Sequence, residues 1–142
     1  MIGLLLVTAA LLAAQETTQV TTPPDVVDFL RALGTDLANA YPDPLNHPDR
    51  SAREFLDHFD PKMPGYEKLR DEVEELTTRA EVGSVIEVAS ESGDERRRVM
   101  ELDWVLEIQD RSPRRQLVKC TIEQKRKRWK IVSFDPINFF KY

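Results

Sequence analysis

The spacing of apolar residues along the chain changes near Val82. Before that point apolar residues recur at intervals of three and four, which predicts amphipathic helices. After it they alternate with polar residues, which predicts strands that bury one face. Helices followed by a strand-rich part predict an α+β domain, in which three N-terminal helices cover one face of a four-stranded antiparallel meander.

Three helices are predicted before Val82. The first begins at Thr22 and Pro23, because threonine suits a helix cap and proline suits a first turn. The second is short and begins at Ser51, which has the capping-box spacing to Glu54. The third begins after Gly65. The apolar residues that face inward are Val26, Leu30, Leu33, Leu37 and Tyr41 in the first helix, Phe55, Leu56 and Phe59 in the second, and Tyr66, Leu69, Val73 and Leu76 in the third.

Four strands are predicted, over about 82–91, 96–109, 114–125 and 127–135. The segments between them are short enough for antiparallel hairpins. The inward strand positions are predicted to be Met100, Leu102, Trp104, Leu106 and Ile108, then Val118, Cys120 and Ile122, then Trp129, Ile131 and Ser133. These positions are almost entirely apolar, and none of them carries an acid, a base or a catalytic nucleophile.

The first 14 residues, "MIGLLLVTAALLAA", are uncharged and almost wholly apolar. The run is too short to span a bilayer core of about 30 Å, but it suits the apolar region of a secretory signal peptide. Against this, no Lys or Arg precedes the run, and Leu12 lies where a cleavage site would carry a small residue. We expect export to the periplasm or the medium, with a buried N-terminal helix as the alternative. The predicted organisation is a signal-peptide-like segment at 1–14, a polar linker at 15–22 and one domain at 23–142.

Charge and cysteine content exclude several functional classes. The net charge is −5, with 7 basic and 15 acidic residues up to residue 81 and 13 basic and 10 acidic residues after it. This balance lacks the basic excess of a nucleic-acid binder. Cys120 is the only cysteine, so it forms no internal disulfide and has no partner at zinc-ligand spacing; its strand pattern predicts a buried, inert thiol. No cofactor, metal or stable membrane anchor is expected.

Three segments resemble a known family. "FLDHFDPKMPGYEKLRDEVEEL" is similar to the second and third helices of the nuclear-transport-factor-2-like superfamily, also called the cystatin-like cone. "ELDWVLEI" resembles its long central strand, and "RWKIVSFDPINFF" its last strand. The resemblance covers about residues 22–142. It implies a strongly curved sheet with the helices packed on its concave face. It says little about function, because members include hydro-lyases, isomerases, polyketide cyclases and transport adaptors.

The resemblance also implies a pocket between the helices and the concave face of the sheet. The residues expected to line it are Tyr66, Met100, Leu102, Trp104, Cys120 and Trp129. Since these are apolar or aromatic, a small apolar ligand is the expected occupant. Trp104 is better explained as a core residue than as a ligand platform, because a large aromatic in mid-strand gains stability by burial.

His58 is the remaining candidate for acid–base chemistry, together with Asp57 or Asp60 at the mouth of the cone. The sequence favours the structural interpretation, in which His58 lies at the solvated end of a short helix. Adjacent helical residues do not face each other, so Asp57 is badly placed to orient His58. Asp60 precedes a proline and is explained as a turn residue.

Two basic clusters are predicted to meet at one end of the sheet. Alternate hairpin turns of a meander lie at the same end, and these turns carry Arg96, Arg97 and Arg98, and Lys125, Arg126, Lys127 and Arg128. One interpretation is an anion-binding rim for a partner or a membrane surface. The other is protection of strand ends against aggregation.

The expected function is that of an exported, non-catalytic module for ligand binding or protein assembly, with possible homodimerisation through the outer face of the sheet. The alternative is a small lyase or isomerase that uses His58. A polar group in an open cone would favour the enzyme, whereas a filled apolar cone would favour a scaffold.

Overall fold

The computed structural model describes residues 22–142. Three helices, α1 (Pro24–Ala38), α2 (Arg53–Leu56) and α3 (Tyr66–Arg79), precede the strands β1 (Val82–Gly93), β2 (Arg97–Ile108), β3 (Arg114–Lys125) and β4 (Arg128–Asp135). The strands form one antiparallel sheet in the order β1-β2-β3-β4. The predicted α+β class and four-stranded meander are therefore confirmed. The segment at 1–14 and the linker up to residue 21 lie outside the described residues.

The helix ends differ from the sequence prediction in detail. Pro23, rather than Thr22, occupies the N-cap position of α1, and no side chain caps that helix. The N-cap of α2 is Ala52, and the Ser51 hydroxyl accepts a hydrogen bond of 3.2 Å from the Arg53 backbone N–H. Ser51 thus lies one residue too early for the predicted capping box. No described helix has the length and apolarity needed to cross a membrane.

The helices and one face of the sheet, here called the inner face, bury a single core. Trp104 lies in this core, with its ring centroid 6.0, 5.5 and 5.6 Å from those of Phe134, Phe139 and Phe140. Edge-to-face contacts of this kind add to the stabilisation that area burial provides. The two phenylalanines near the C-terminus therefore fill the space between the helices and the sheet.

A β-bulge in β4 changes which residues face the core. Thr121 pairs with Ser133, but Ile122 pairs with Ile131, so Val132 is left without a partner in the ladder. An extra residue reverses the side-chain alternation beyond it. Ser133 was therefore wrongly predicted to face inward: it is exposed, and Phe134 is buried in its place.

A second irregularity, at Ala89 in β1, brings charge onto the inner face. Val88 pairs with Leu102 and Ser90 with Glu101, which places Glu91 opposite the buried Met100. Arg98 lies two residues before Met100 on the same face and donates from Nε to Glu91 Oε2 at 2.9 Å. The side chains are only 5% (Glu91) and 14% (Arg98) exposed. The prediction that no inward strand position holds an acid or a base was wrong.

Candidate functional site

The predicted interior pocket is occupied by side chains of the protein itself. Met100, Leu102, Trp104 and Cys120 are all buried in the core. Burial raises the pKa of the Cys120 thiol to about 12, so this cysteine stays protonated and unreactive at neutral pH. The Trp104 indole N–H is buried without a hydrogen-bond partner among the described residues. The residues at the centre of the fold thus serve packing.

A cleft lies beside His58, between the first turns of α1, the segment after α2 and the turn that joins β3 to β4. It has a volume of about 390 Å³. The residues that line this His58 cleft are Asp25, Asp28, Phe29, His58, Gln124, Lys127, Arg128 and Trp129. Residues that the sequence singled out for three separate reasons, namely His58, Trp129 and part of the basic turn, therefore share one site.

The imidazole of His58 is oriented by Asp36. Nε2 lies 2.6 Å from Asp36 Oδ2, and the ring meets Phe29 edge-on with the centroids 5.5 Å apart. The His58 side chain is 12% exposed, so the interpretation of His58 as an exposed helix end was wrong. The partner is neither of the predicted ones: the Asp60 carboxylate accepts the Lys62 backbone N–H at 2.9 Å in a turn, and Asp57 lines a different cleft.

The backbone around His58 is tied to the last strand. The Ile131 N–H donates to the His58 carbonyl at 2.8 Å, and the Asp60 N–H donates to the Ile131 carbonyl at 2.8 Å. Trp129, two residues before Ile131, donates its indole N–H to Asp25 Oδ2 at 2.9 Å. Asp25 of α1 thus holds the Trp129 ring, and Asp36 of the same helix holds the His58 ring.

The two basic turns meet at one end of the sheet. The Gln124 backbone N–H donates to the Arg96 carbonyl at 2.8 Å. Of the seven cations, Arg97, Arg98 and Lys125 form ion pairs. The four that form no ion pair with another residue of 22–142 are Arg96, Arg126, Lys127 and Arg128. The last two of these line the His58 cleft.

The carboxylates near the cleft already have partners. Asp25 accepts from Trp129, Asp28 lies 3.4 Å from Arg31, and Asp36 contacts His58. Lys127 and Arg128 form no ion pair with any other residue of 22–142. Since the two cations of the cleft, unlike its carboxylates, have no charged partner among these residues, the cleft favours an anionic group.

Sequence reasoning missed Asp36 and Asp25, although a helical pattern contains them. Asp25, Phe29 and Asp36 are separated by four and seven residues, so they lie on one face of α1. Two acids and an aromatic along a single face indicate a polar contact with another element. The sequence does not say which element that is.

Tyr66 lies apart from the other predicted lining residues. It borders a separate cleft between α2 and α3, so the structure does not bring it together with Trp129. Within residues 22–142, no group of three or more His, Cys, Asp or Glu side chains is arranged to hold a metal ion.

Comparison with known proteins does not assign the chain to a family. No protein-family model matches the chain, and a search of curated proteins found no match.

Proposed function

We propose that this protein is an exported, non-catalytic binding module of the nuclear-transport-factor-2-like fold, and that its His58 cleft takes up an anionic group carried by a small ligand or an assembly partner. The observation that carries the proposal is the pairing pattern at the cleft. Asp25, Asp28 and Asp36 are each engaged, whereas Lys127 and Arg128 are not.

The order of elements supports the proposed fold. Three described helices followed by a four-stranded meander agree with the order that the resemblance implies. A curved, cone-like sheet is part of the proposal.

The state of the interior supports binding over catalysis. Trp104 is surrounded by Phe134, Phe139 and Phe140, which fill the space where a cone enzyme would hold its substrate. At the His58 cleft, Nε2 of the imidazole is engaged by Asp36, and no Ser, Thr or Cys of residues 22–142 lines the cleft. Acid–base and nucleophilic sites need several reactive groups that converge on one point.

A pair of matched fluorescent probes tests the proposal. 8-Anilino-1-naphthalenesulfonate and the neutral N-phenyl-1-naphthylamine share an aromatic body and differ in the sulfonate. We expect saturable binding of the sulfonate probe, tighter than that of the neutral probe. The double variant Lys127→Gln/Arg128→Gln should weaken its binding at least about 10-fold, because charge-assisted hydrogen bonds are lost.

The control is Arg96→Gln/Arg126→Gln, which removes two unpaired cations at the same end of the sheet but outside the cleft lining. It should weaken binding much less than the first double variant. Equal effects of the two double variants would point to a general surface field and contradict a site at the cleft.

A second candidate function is acid–base catalysis by His58 with Asp36 as its orienting group, and the 2.6 Å contact between them favours it. Small 2-oxo acids in heavy water test this candidate, because an active base would exchange the protons on C3, next to the keto group, for deuterium. Exchange at least about 10²-fold above buffer, lost in His58→Gln, would replace the binding proposal with an enzymatic one. No exchange above buffer is the outcome that binding predicts.

Export is proposed from the apolar run at 1–14 and the polar residues after it. Mass spectrometry of the protein from its native source should find an N-terminus between about Ala13 and Thr22. Intact Met1 on protein recovered from the cytoplasm would contradict export.

A further inference from the structure

A second cleft lies between α2, α3 and the segment that joins α1 to α2. It has a volume of about 440 Å³, within the range of small-molecule sites. The residues that line this Tyr66 cleft are Ala40, Pro42, Arg50, Ser51, Ala52, Arg53, Leu56, Asp57, Tyr66, Arg70, Glu74, Thr77 and Thr78. It does not share a lining residue with the His58 cleft.

One polar stripe of α3 forms a wall of this cleft. Tyr66, Arg70, Glu74 and Thr78 follow each other at intervals of four residues, which places them on the same side of the helix. The core-facing residues of α3 lie on a different side. α3 therefore has a second specific face, in addition to the one that packs on the core.

The opposite side of the cleft combines an apolar floor with free cations. Ala40, Ala52 and Leu56 are buried and line the cleft. Arg50 and Arg53 stand at its margin, and neither forms an ion pair within the described part of the chain. Uncharged surface beside two unpaired guanidinium groups suits a ligand with an apolar body and a planar anionic head group.

The remaining polar groups limit the ligand further. Arg70 is already engaged, since its Nε and Nη2 lie 3.2 and 3.1 Å from Asp71 Oδ1. Burial raises the pKa of Tyr66, so its hydroxyl stays a neutral hydrogen-bond donor at physiological pH. Asp57 and Glu74 also line the cleft, and their negative charge would repel a second anionic group on the ligand.

We propose that the Tyr66 cleft binds a small organic monocarboxylate. Arg50 and Arg53 bind its carboxylate, the Tyr66 hydroxyl donates a further hydrogen bond, and the apolar body lies on Ala40, Ala52 and Leu56. This site is independent of the function proposed for the His58 cleft.

Amide chemical shifts of the full ¹⁵N-labelled chain test this proposal with three probes of equal length. Sodium hexanoate, hexanamide and hexylamine each have six carbons, and their head groups are an anionic carboxylate, a neutral amide and a cationic ammonium group. Hexanoate should shift the amide signals of residues 50–57 and 66–78 in a saturable way. Hexanamide should bind at least about 10-fold more weakly, because it lacks the charge that strengthens hydrogen bonds to arginine.

Two variants assign the binding to named groups. Arg50→Gln/Arg53→Gln should weaken hexanoate binding at least about 10-fold, and Tyr66→Phe about 2- to 10-fold, as for one neutral donor. The matched control Lys62→Gln/Lys68→Gln removes two exposed cations close by in the sequence and outside the cleft. It should bind hexanoate as the unmodified protein does.

Three outcomes would overturn the proposal. In the first, hexylamine shifts the same amide signals more strongly than hexanoate does. In the second, Arg50→Gln/Arg53→Gln binds hexanoate as tightly as the lysine control does. In the third, hexanoate causes no saturable shift of any amide signal. Lys127→Gln/Arg128→Gln should leave the shifts that hexanoate causes at residues 66–78 unchanged, and Arg50→Gln/Arg53→Gln should leave binding of the sulfonate probe unchanged, so failure at one cleft is distinguishable from failure at the other.

Discussion

His58 is positioned by two distant parts of the chain, α1 and β4. Asp36 of α1 engages Nε2, Phe29 of the same helix meets the ring edge-on, and the backbone of Ile131 in β4 bonds to the His58 carbonyl. A side chain held in this way has lost most of its rotamer freedom before any ligand arrives. Such preorganisation benefits binding and catalysis alike, because the ordering cost is met during folding.

Because His58 is mostly buried and paired, we predict that His58→Ala destabilises the protein by about 1–3 kcal/mol. The substitution leaves the Asp36 carboxylate, which is only 28% exposed, without its partner. Urea unfolding monitored by circular dichroism measures the loss. A double-mutant cycle with Asp36→Asn should give a coupling energy of about 0.5–3 kcal/mol.

His47 is the matched control for this prediction, since it is the only other histidine and it is exposed. His47→Ala should change the free energy of unfolding by no more than about 0.5 kcal/mol. Equal effects of the two substitutions would show that the contact with Asp36 contributes nothing to stability.

Only part of this site was predictable from the sequence. His58 stood out because histidine is rare in this chain and carboxylates flank it. Its true partner lies 22 residues earlier, and that contact depends on how α1 packs beside the segment that follows α2. The residue adjacent in sequence, Asp57, is a poor guide to the partner of His58, because the side chains of adjacent helical residues point about 100° apart.

At the scale of secondary-structure elements, the alternation of apolar and polar residues predicted the strands well and the bulges poorly. The third strand was predicted at 114–125, as observed, and the others ended within two residues of their predicted bounds. In β4 the residues Ile131 and Val132 are adjacent and apolar, which breaks strict alternation and marks the bulge. The contact between Glu91 and Arg98 had no such signal, because it depends on the irregularity at Ala89.

The glycine inside α1 gives a prediction for that helix. A Cβ built on Gly34 would lie 3.7 Å from Ser84 Cβ, an ordinary contact. Glycine in a helix interior is less favourable than alanine by up to about 1 kcal/mol. We therefore expect Gly34→Ala to raise the free energy of unfolding by about 0.5–1 kcal/mol, measured by urea denaturation.

Gly93 provides the contrast for Gly34. Its φ is +136°, and a Cβ there would overlap the Arg97 carbonyl oxygen. Gly93→Ala should therefore destabilise the β1–β2 hairpin. A loss of stability in Gly34→Ala would mean that α1 and β1 pack too closely for a methyl group.

On the outer face of the sheet, Arg115 of β3 binds Asp103 of β2 through two hydrogen bonds of 2.9 and 2.6 Å. The hydrogen bond from Arg115 lowers the pKa of Asp103 below its ordinary value of 3.8. A lowered carboxylate pKa gives stability that is present above the unfolded-state value and is lost as pH falls through the folded-state value. We predict that Arg115→Gln is less stable than the unmodified protein at pH 7 and that this difference shrinks below about pH 4.

Urea unfolding at several pH values measures this dependence. Lys119→Gln is the control, because Lys119 lies on the same face of β3 and forms no ion pair among the described residues. A difference for Arg115→Gln that is constant with pH would show that Asp103 is not the group responsible.

At the scale of the whole molecule, the two faces of the sheet differ in character. The centre of the inner face is apolar, with the pair of Glu91 and Arg98 at one end and Ser84, Arg114 and Gln116 at the other. The outer face carries charged side chains around a small apolar patch. In this patch Val85 of β1 lies opposite Val105 of β2. Leu117 of β3 lies opposite Asp103, which is two residues before Val105 in β2. Val85 and Leu117 are 47% and 52% exposed.

We propose a second copy of the chain as the partner of this patch. The apolar centre consists of Val85 next to Val105, and of Leu117, which the ion pair of Arg115 and Asp103 separates from Val105. Two copies related by a two-fold axis would bury these apolar residues and pair opposite charges. Individual surface ion pairs contribute only about 0–1 kcal/mol, so the apolar centre has to supply most of the stabilisation.

We therefore predict a weak, concentration-dependent dimer through the outer face, observable by sedimentation velocity. Leu117→Lys should shift the protein to monomer, because it places two like charges at the centre of the interface. Leu45→Lys is the matched control: Leu45 is 94% exposed and lies in a loop away from the sheet, so the same substitution there should leave self-association unchanged. A protein that stays monomeric at the highest attainable concentration would contradict this interface, since an apolar patch that stays in contact with water contributes nothing to association. Equal effects of the two substitutions would also contradict it.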